Sequence, residues 1–185
     1  MSTEETTVSV DCEYTGPIPA VYSMISLGAV AYNSAGKEIG RFKINLKELP
    51  GSTRDPETMI WWSEHSEAWE LATQNSLNAG EAMQKFAAWL ETLPGIPKLA
   101  GWPLPVDFMF IYWYYTRFIG KPPFGYDGID IKSYAMAKLN VSGITKISRD
   151  KAREAIGIPI KEFSHEPVDD ALQQAEIYFG LKRLR

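Results

Sequence analysis

Cysteine, histidine, long apolar runs and a dominant charge are all scarce in this chain. One cysteine, Cys12, stands among 185 residues. No disulfide can therefore close within the chain, and a reducing cytoplasm is the expected setting. Histidine is represented by His65 and His165 alone. No window approaches ~18 consecutive apolar residues, which excludes a membrane-spanning helix. The opening MSTEETT is polar and acidic and lacks the basic start and apolar stretch of an export signal. Internal repeats, low-complexity tracts and any linker long enough to separate domains are also missing. With 19 Lys and Arg against 23 Asp and Glu, the net charge is −4. That balance argues against the basic footprint common among nucleic-acid binders. What is present is ordinary for a globular protein: 45% hydrophobic, 23% charged and 12% aromatic residues, which excludes disordered and fibrous classes. The length suits one domain over 1–185, with residues 1–6 flexible.

Alternation of Val8 and Val10 with polar neighbours predicts a first strand at Thr7–Glu13. A turn-rich Thr15-Gly16-Pro17-Ile18-Pro19 follows. Met24–Tyr32, nearly apolar throughout, predicts a second, central strand, and Ile39–Leu46 a third, so the chain opens with antiparallel strands. Helical spacing takes over after Asp55-Pro56-Glu57, with one helix over Met59–Ala72 and another over Ala79–Leu93. Asn78 suits the N-cap of the second, and Pro94-Gly95 stops it. Pro97–Gly101 reads as a short inner strand, Val106–Ile119 as an aromatic helix and Gly128–Lys132 as a further strand. The last helix is expected over Val168–Leu184, with Pro167 suited to its first position. Strands first, then helices alternating with short strands, imply an α/β fold: a mixed sheet flanked by helices.

Asp11 and Glu13 lie two apart on a strand and so project from one face. A hard divalent ion such as Mg²⁺ takes oxygen ligands and would relieve their repulsion; two exposed acids on an edge strand are the plain alternative. Asp107 precedes the apolar run Phe108–Tyr115, where the positive end of a helix favours an acid. Capping explains it alone, although few other acids are near. The stretch Ser164–Ala171 puts His165 just before a helix, with Asp169 and Asp170 in its first turn. A histidine can take a proton from water. Asp169 reads as a helix-start charge, while Asp170 can face elsewhere. His65, among Ser63, Glu64 and Ser66, reads as a surface residue, Cys12 as packing, and Phe108–Tyr115 as helix core.

Taken together, SVDCE at 9–13, VDF at 106–108 and H-x4-D at 165–170 resemble the three exonuclease motifs of the DEDD superfamily. The fold so implied is ribonuclease H-like, with a five-stranded mixed sheet whose first three strands are antiparallel. The histidine five places before the last aspartate resembles the DEDDh branch. Spacing agrees, with Asp107 96 residues after Asp11 and Asp170 63 residues further on. SMISLGAVAY at 23–32 and ETMIWWSEHSEA at 57–68 look like the small phage and bacterial subgroup of 3′–5′ exoribonuclease-like proteins, which also resembles exodeoxyribonuclease VIII. The resemblance implies that Asp11, Glu13, Asp107 and Asp170 hold two divalent ions, Mg²⁺ or Mn²⁺. His165, with Glu13, would serve catalysis by taking the proton of the attacking water. It also implies a cytoplasmic, bacterial or phage-encoded enzyme with no membrane partner, for which a homodimer is an option. The chain departs from the family at Pro167, where a small residue is usual, and at Gly101-Trp102-Pro103.

The substrate so implied is the 3′ end of single-stranded or overhanging nucleic acid, RNA ahead of DNA. A DNA-specific exonuclease and a binding module that has lost turnover are the competing readings. A purely structural protein is the third. Bases of single strands stack on aromatic rings. Trp61 or Trp62 therefore offers a wall for the terminal base, with Met24 as an apolar lining, although one of two adjacent tryptophans normally faces the core. Residues 132–161 carry seven Lys and Arg against Asp150 and Glu154, either a track for phosphates or a solvated face. The four site acids account for as much negative charge as the whole net balance, and two divalent cations would neutralise them.

Overall fold

The computed structural model describes residues 4–162 and 164–184. Five strands form one mixed sheet: β1 (Glu5–Tyr14), β2 (Met24–Tyr32), β3 (Glu38–Asn45), β4 (Ile96–Gly101) and β5 (Gly128–Asp130), in the order β3-β2-β1-β4-β5. β1, β2 and β3 run antiparallel, while β4 and β5 are parallel to β1 and to each other. Among the described residues the helices are α1 (Pro56–Glu64), α2 (Ser66–Thr73), α3 (Ala79–Glu91), α4 (Leu104–Phe118), α5 (Ile131–Lys138), α6 (Arg149–Ala155) and α7 (Pro167–Arg183), with a 3₁₀ turn at Ile144–Lys146.

The central strand sorts its side chains by parity. Val8, Val10 and Cys12 enter a core shared with Phe86 of α3 and Phe110, Ile111 and Tyr114 of α4. On the opposite face of the sheet, Val30 and Ala100 meet Ile131 of α5 and Ala171, Ala175 and Phe179 of α7. A third cluster, Ile25 with Trp62, Ala68 and Ala72, seats α1 and α2 against β2. The alternation that buries valine on one side leaves Asp11 and Glu13 on the other.

The antiparallel start and the outer bounds of the last helix follow the sequence pattern, and the differences have physical causes. β1 begins at Glu5, so residues 5 and 6 are paired strand rather than flexible; residues 1–3 lie outside the described residues. The helix expected over Met59–Ala72 breaks at His65, whose backbone (φ −124°, ψ 50°) leaves the helical region. Its ring Nδ1 lies 2.8 Å from the Trp61 carbonyl, so the side chain turns back along α1. Asn78 occupies the N-cap of α3 without a side-chain bond. The strand expected at Gly128–Lys132 ends at Asp130, because that carboxylate caps two helices: Oδ1 accepts from Ser133 N (2.7 Å) and Oδ2 from Leu104 N (2.8 Å). α6, capped by Ser148, lies in a stretch where the sequence pattern shows no helix.

Gly28 determines how closely α7 can approach. It pairs with Asp11 across β1 and β2, and a Cβ there would lie 2.2 Å from the backbone carbon of Pro167. The start of α7 thus rests on the sheet beside the acidic end of β1. Pro167 occupies the first turn, and Glu166 caps it by accepting from Asp169 N at 2.9 Å.

Candidate active site

The site lies where the C-terminal half of β1 meets the first turns of α4 and α7. β1 supplies Asp11 and Glu13, α4 supplies Asp107, and α7 supplies Asp170. Asp107 and Asp170 are only 7% and 2% exposed. Asp11 senses the charges of the other three, and Glu13 those of Asp170 and Asp107. Asp11 is held well above the usual carboxylate range by burial, then by the charges of Asp107, Glu13 and Asp170. Burial, reinforced by Asp170 and Asp107, pushes Glu13 up to about 8. Burial raises Asp107 to about 7, although hydrogen bonds from Tyr14 and Cys12 oppose it. Asp170 rises to about 6, again through burial. Arg149, at the start of α6, is the cation whose field opposes the shifts of Asp11, Asp107 and Asp170. Its Nη2 donates to the Trp102 carbonyl at 2.6 Å.

Three of the carboxylates are positioned by donors of the fold. The Tyr14 hydroxyl and Cys12 N (3.2 Å) donate to Asp107. Gln174, fully buried one turn after Asp170, donates from Nε2 to Asp11 Oδ1 (2.7 Å) and accepts from Trp102 N (2.7 Å). Ser164 N and Oγ approach Asp170 Oδ1 at 3.4 and 3.5 Å. Among the described residues no three acid, histidine or cysteine side chains already close into a cage for a single ion. A carboxylate has about four lone-pair sites, so these bonds leave oxygen capacity unused. Four hard oxygen donors, raised by burial and mutual repulsion with one arginine opposing them, fit divalent cations of the Mg²⁺ class.

His165 has a left-handed backbone (φ 53°), uncommon outside glycine and often found at functional sites. Its ring meets Trp61 edge-on at 4.8 Å and His65 at 5.3 Å. His65 in turn stacks on Trp61 at 4.0 Å and 17°. His65 is therefore part of the wall behind His165 rather than an isolated surface residue. Desolvation, followed by His65 and Arg149, lowers the His165 pKa below its ordinary 6.5.

The three residues expected to meet a base separate here. Trp61 is half-buried and lines a cleft of about 250 Å³ with Glu13, Tyr14, Thr58 and Val106. Trp62 borders the same cleft but is only 3% exposed, and its indole N–H is committed to the Tyr14 carbonyl at 2.9 Å. Met24 is fully buried among core residues, so its side chain lines no cleft. Three of the seven cations of 132–161 have acidic partners within the fold, while Lys138, Lys146 and Lys151 are exposed. Arg153 is buried and paired with Glu176 at 2.9 Å, Lys161 pairs with the same acid, and Arg149 serves the acid cluster. Gln174, Tyr14, Arg149 and Gly28 are the site's supports that sequence reasoning misses. A polar residue four after Asp170 and a glycine inside an apolar strand are the available signals for two of them.

A five-stranded mixed sheet in the order β3-β2-β1-β4-β5, with acids at the end of its central strand and at two helix starts, is the ribonuclease H-like fold. The chain belongs to the family described as 3′-5′ exoribonuclease Rv2179c-like domain, whose profile matches residues 6–179. It is thus a member of a family of 3′–5′ exonucleases acting on nucleic acid. A relative from Escherichia coli, named 3′-5′ DNA exonuclease Cap18, is 26% identical over 186 residues, 98% of this chain and 94% of its own. Solved structures share the fold. S. pombe Pop2p, in a Mg²⁺- and Mn²⁺-bound form, has a TM-score of 0.69 at 16% identity over 95% of this chain and 82% of its own. The nuclease domain of 3′hExo, a DEDDh family member bound to rAMP, gives 0.68 at 14% identity over 95% and 89%. E. coli exonuclease I with a dA16 oligonucleotide gives 0.71 at 15% identity, over 96% of this chain and 41% of that longer one.

Proposed function

We propose that this protein is a divalent-metal-dependent exonuclease that releases nucleoside 5′-monophosphates from the 3′ end of single-stranded or overhanging nucleic acid, with RNA as the preferred strand. The observation that carries the reading is the meeting of Asp11, Glu13, Asp107 and Asp170 beside His165. Asp11, Glu13, Asp107 and Asp170 would hold two ions of the Mg²⁺ or Mn²⁺ class, which when bound supply positive charge to the phosphate oxygens and acidify water. The remaining work belongs to the chain. His165, its pKa lowered, is largely neutral at pH 7 and able to accept a proton. It takes one from the attacking water as the new P–O bond forms and the bond from phosphorus to the 3′ oxygen breaks. Trp61 and His65 hold its ring in place. Gln174 and Tyr14 orient Asp11 and Asp107. Trp61 would give the terminal base a stacking face in the cleft beside Glu13.

RNA preference leans on the family description. DNA is the second reading, favoured by the E. coli relative's name. Incubation of 5′-labelled RNA and DNA strands of one sequence, with Mg²⁺ or EDTA, separates them. The expected result is a metal-dependent one-nucleotide ladder, faster on RNA. A faster ladder on DNA reverses the sugar assignment. Binding without shortening contradicts the enzymatic reading.

A further inference from the structure

The aromatic run of α4 does not all enter the core. Phe110, Tyr114 and Tyr115 are buried, whereas Phe108, Tyr112 and Trp113 are half-buried against that core and also line a groove of about 640 Å³. Tyr126, from the loop before β5, completes it and is 84% exposed. The rings are ordered. Tyr112 lies near-parallel to Phe108 (5.8 Å, 20°) and to Tyr126 (5.7 Å, 29°). Among the described residues that line the groove, Arg117 is charged and none is acidic.

The groove and the cleft beside Glu13 are built on the same loop and the same helix. Gly16, Pro17 and Val106 border the cleft, and Pro19 and Met109, on the same loop and one turn further along the same helix, border the groove. From Val106 to Arg117 the helix rises roughly 16 Å, the length of a few nucleotides. A ladder of aromatic faces with a cation and no acid matches a polyanion whose bases are unpaired, because every base has a face to stack and the phosphates repel acids.

We infer that the α4 groove binds bases of the single strand upstream of the 3′ end, so that strands long enough to reach it are held more tightly than short ones. This rests on the reading of the Glu13–Trp61 cleft as the seat of the 3′ end. The test is fluorescence anisotropy in EDTA with 5′-fluorescein oligouridylates and oligothymidylates of about two to about twelve nucleotides, within the span of known single-strand sites. Wild-type protein should show a step in affinity as length reaches the groove. Tyr126→Ala, whose site is too exposed to matter for folding, and Trp113→Ala should lose about 5- to 100-fold on long strands and nothing on the dinucleotide. Tyr126→Phe should keep the step. Equal long-strand affinity in Tyr126→Ala, Trp113→Ala and wild type overturns the groove. So does a wild-type dimer, seen by light scattering, that Tyr126→Ala dissolves, because the groove would then face a second copy. Shortening of the dinucleotide by wild type with Mg²⁺ is scored separately. Its absence strikes the cleft reading, whereas its presence with a flat length profile strikes the groove alone.

Discussion

Without cations, the acid cluster should make the protein less stable as pH rises. Burial above all raises Asp107 from 3.8 to about 7 and Asp170 from 3.8 to about 6 in the folded state. Both are nearly inaccessible to water, so little screening intervenes. A group whose folded pKa exceeds its unfolded one binds more protons when folded. Its contribution is complete below pH ~4 and is lost as pH climbs through the folded value. For Asp107 a shift of ~3 units corresponds to ~4 kcal/mol at pH 8, at ~1.4 kcal/mol per unit. The cluster titrates as a unit, so the shifts of its members do not simply add. At ~2–4 °C per kcal/mol for a chain of this size, the melting temperature in EDTA should fall by roughly 10 °C between pH 5 and pH 8. Asp107→Asn removes one charge while keeping an acceptor for Tyr14 and Cys12. It should match wild type at pH 5 and melt higher at pH 8. Millimolar Mg²⁺ should restore wild type at pH 8, by ~2.7 kcal/mol at a hundred times its dissociation constant, and restore the variant far less. Circular dichroism melts in EDTA and in Mg²⁺ across this range provide the assay. A melting temperature that is flat or rising with pH, or an equal slope in Asp107→Asn, would refute the reasoning.

Gly28→Ala places a methyl 2.2 Å from the backbone of Pro167. The clash should cost ~1–3 kcal/mol and, by lifting Asp170 from Asp11, about 100-fold in kcat, since ~1 Å of misplacement has that effect; melts and strand degradation measure both. Gln174→Met keeps the volume but strands Trp102 N–H and removes a donor from Asp11. Denaturant unfolding should show a loss of ~2–6 kcal/mol, at ~1–3 per unsatisfied group. His165→Ala should slow degradation by ~10²–10⁴-fold while anisotropy in EDTA shows strand affinity unchanged. Trp61→Ala should weaken binding of a dinucleotide by ~1–3 kcal/mol, read by the same anisotropy.

The sequence carries the site further than it carries the supports. Period-2 alternation places Asp11 and Glu13 on the face opposite Val10 and Cys12, and the sheet keeps that parity. Pro167 marks the start of α7 because a helix tolerates proline only there. Pattern fails where a residue's partner is distant in sequence. Gln174 looks like any helical glutamine until the fold brings Trp102 and Asp11 to it. Gly28 looks like a weak spot in a strand until α7 lies on it. His65 is invisible as a site residue because its partner His165 lies 100 residues further along the chain, although Trp61 is only one turn away. α5 and α6 escape the pattern because they are only eight and seven residues long, although the caps Asp130 and Ser148 are in plain view. The aromatic stretch of α4 reads in sequence as one core stripe. Its helical spacing instead divides it between the core and an exposed groove.

The most direct test is degradation of a 5′-labelled single strand in Mg²⁺ by wild type and by Asp11→Asn, with both folds checked by circular dichroism. The expected result is a one-nucleotide ladder from the 3′ end with nucleoside 5′-monophosphate as product, absent in the variant although it remains folded. A ladder of undiminished rate from Asp11→Asn would contradict the assignment of the four acids as the catalytic centre.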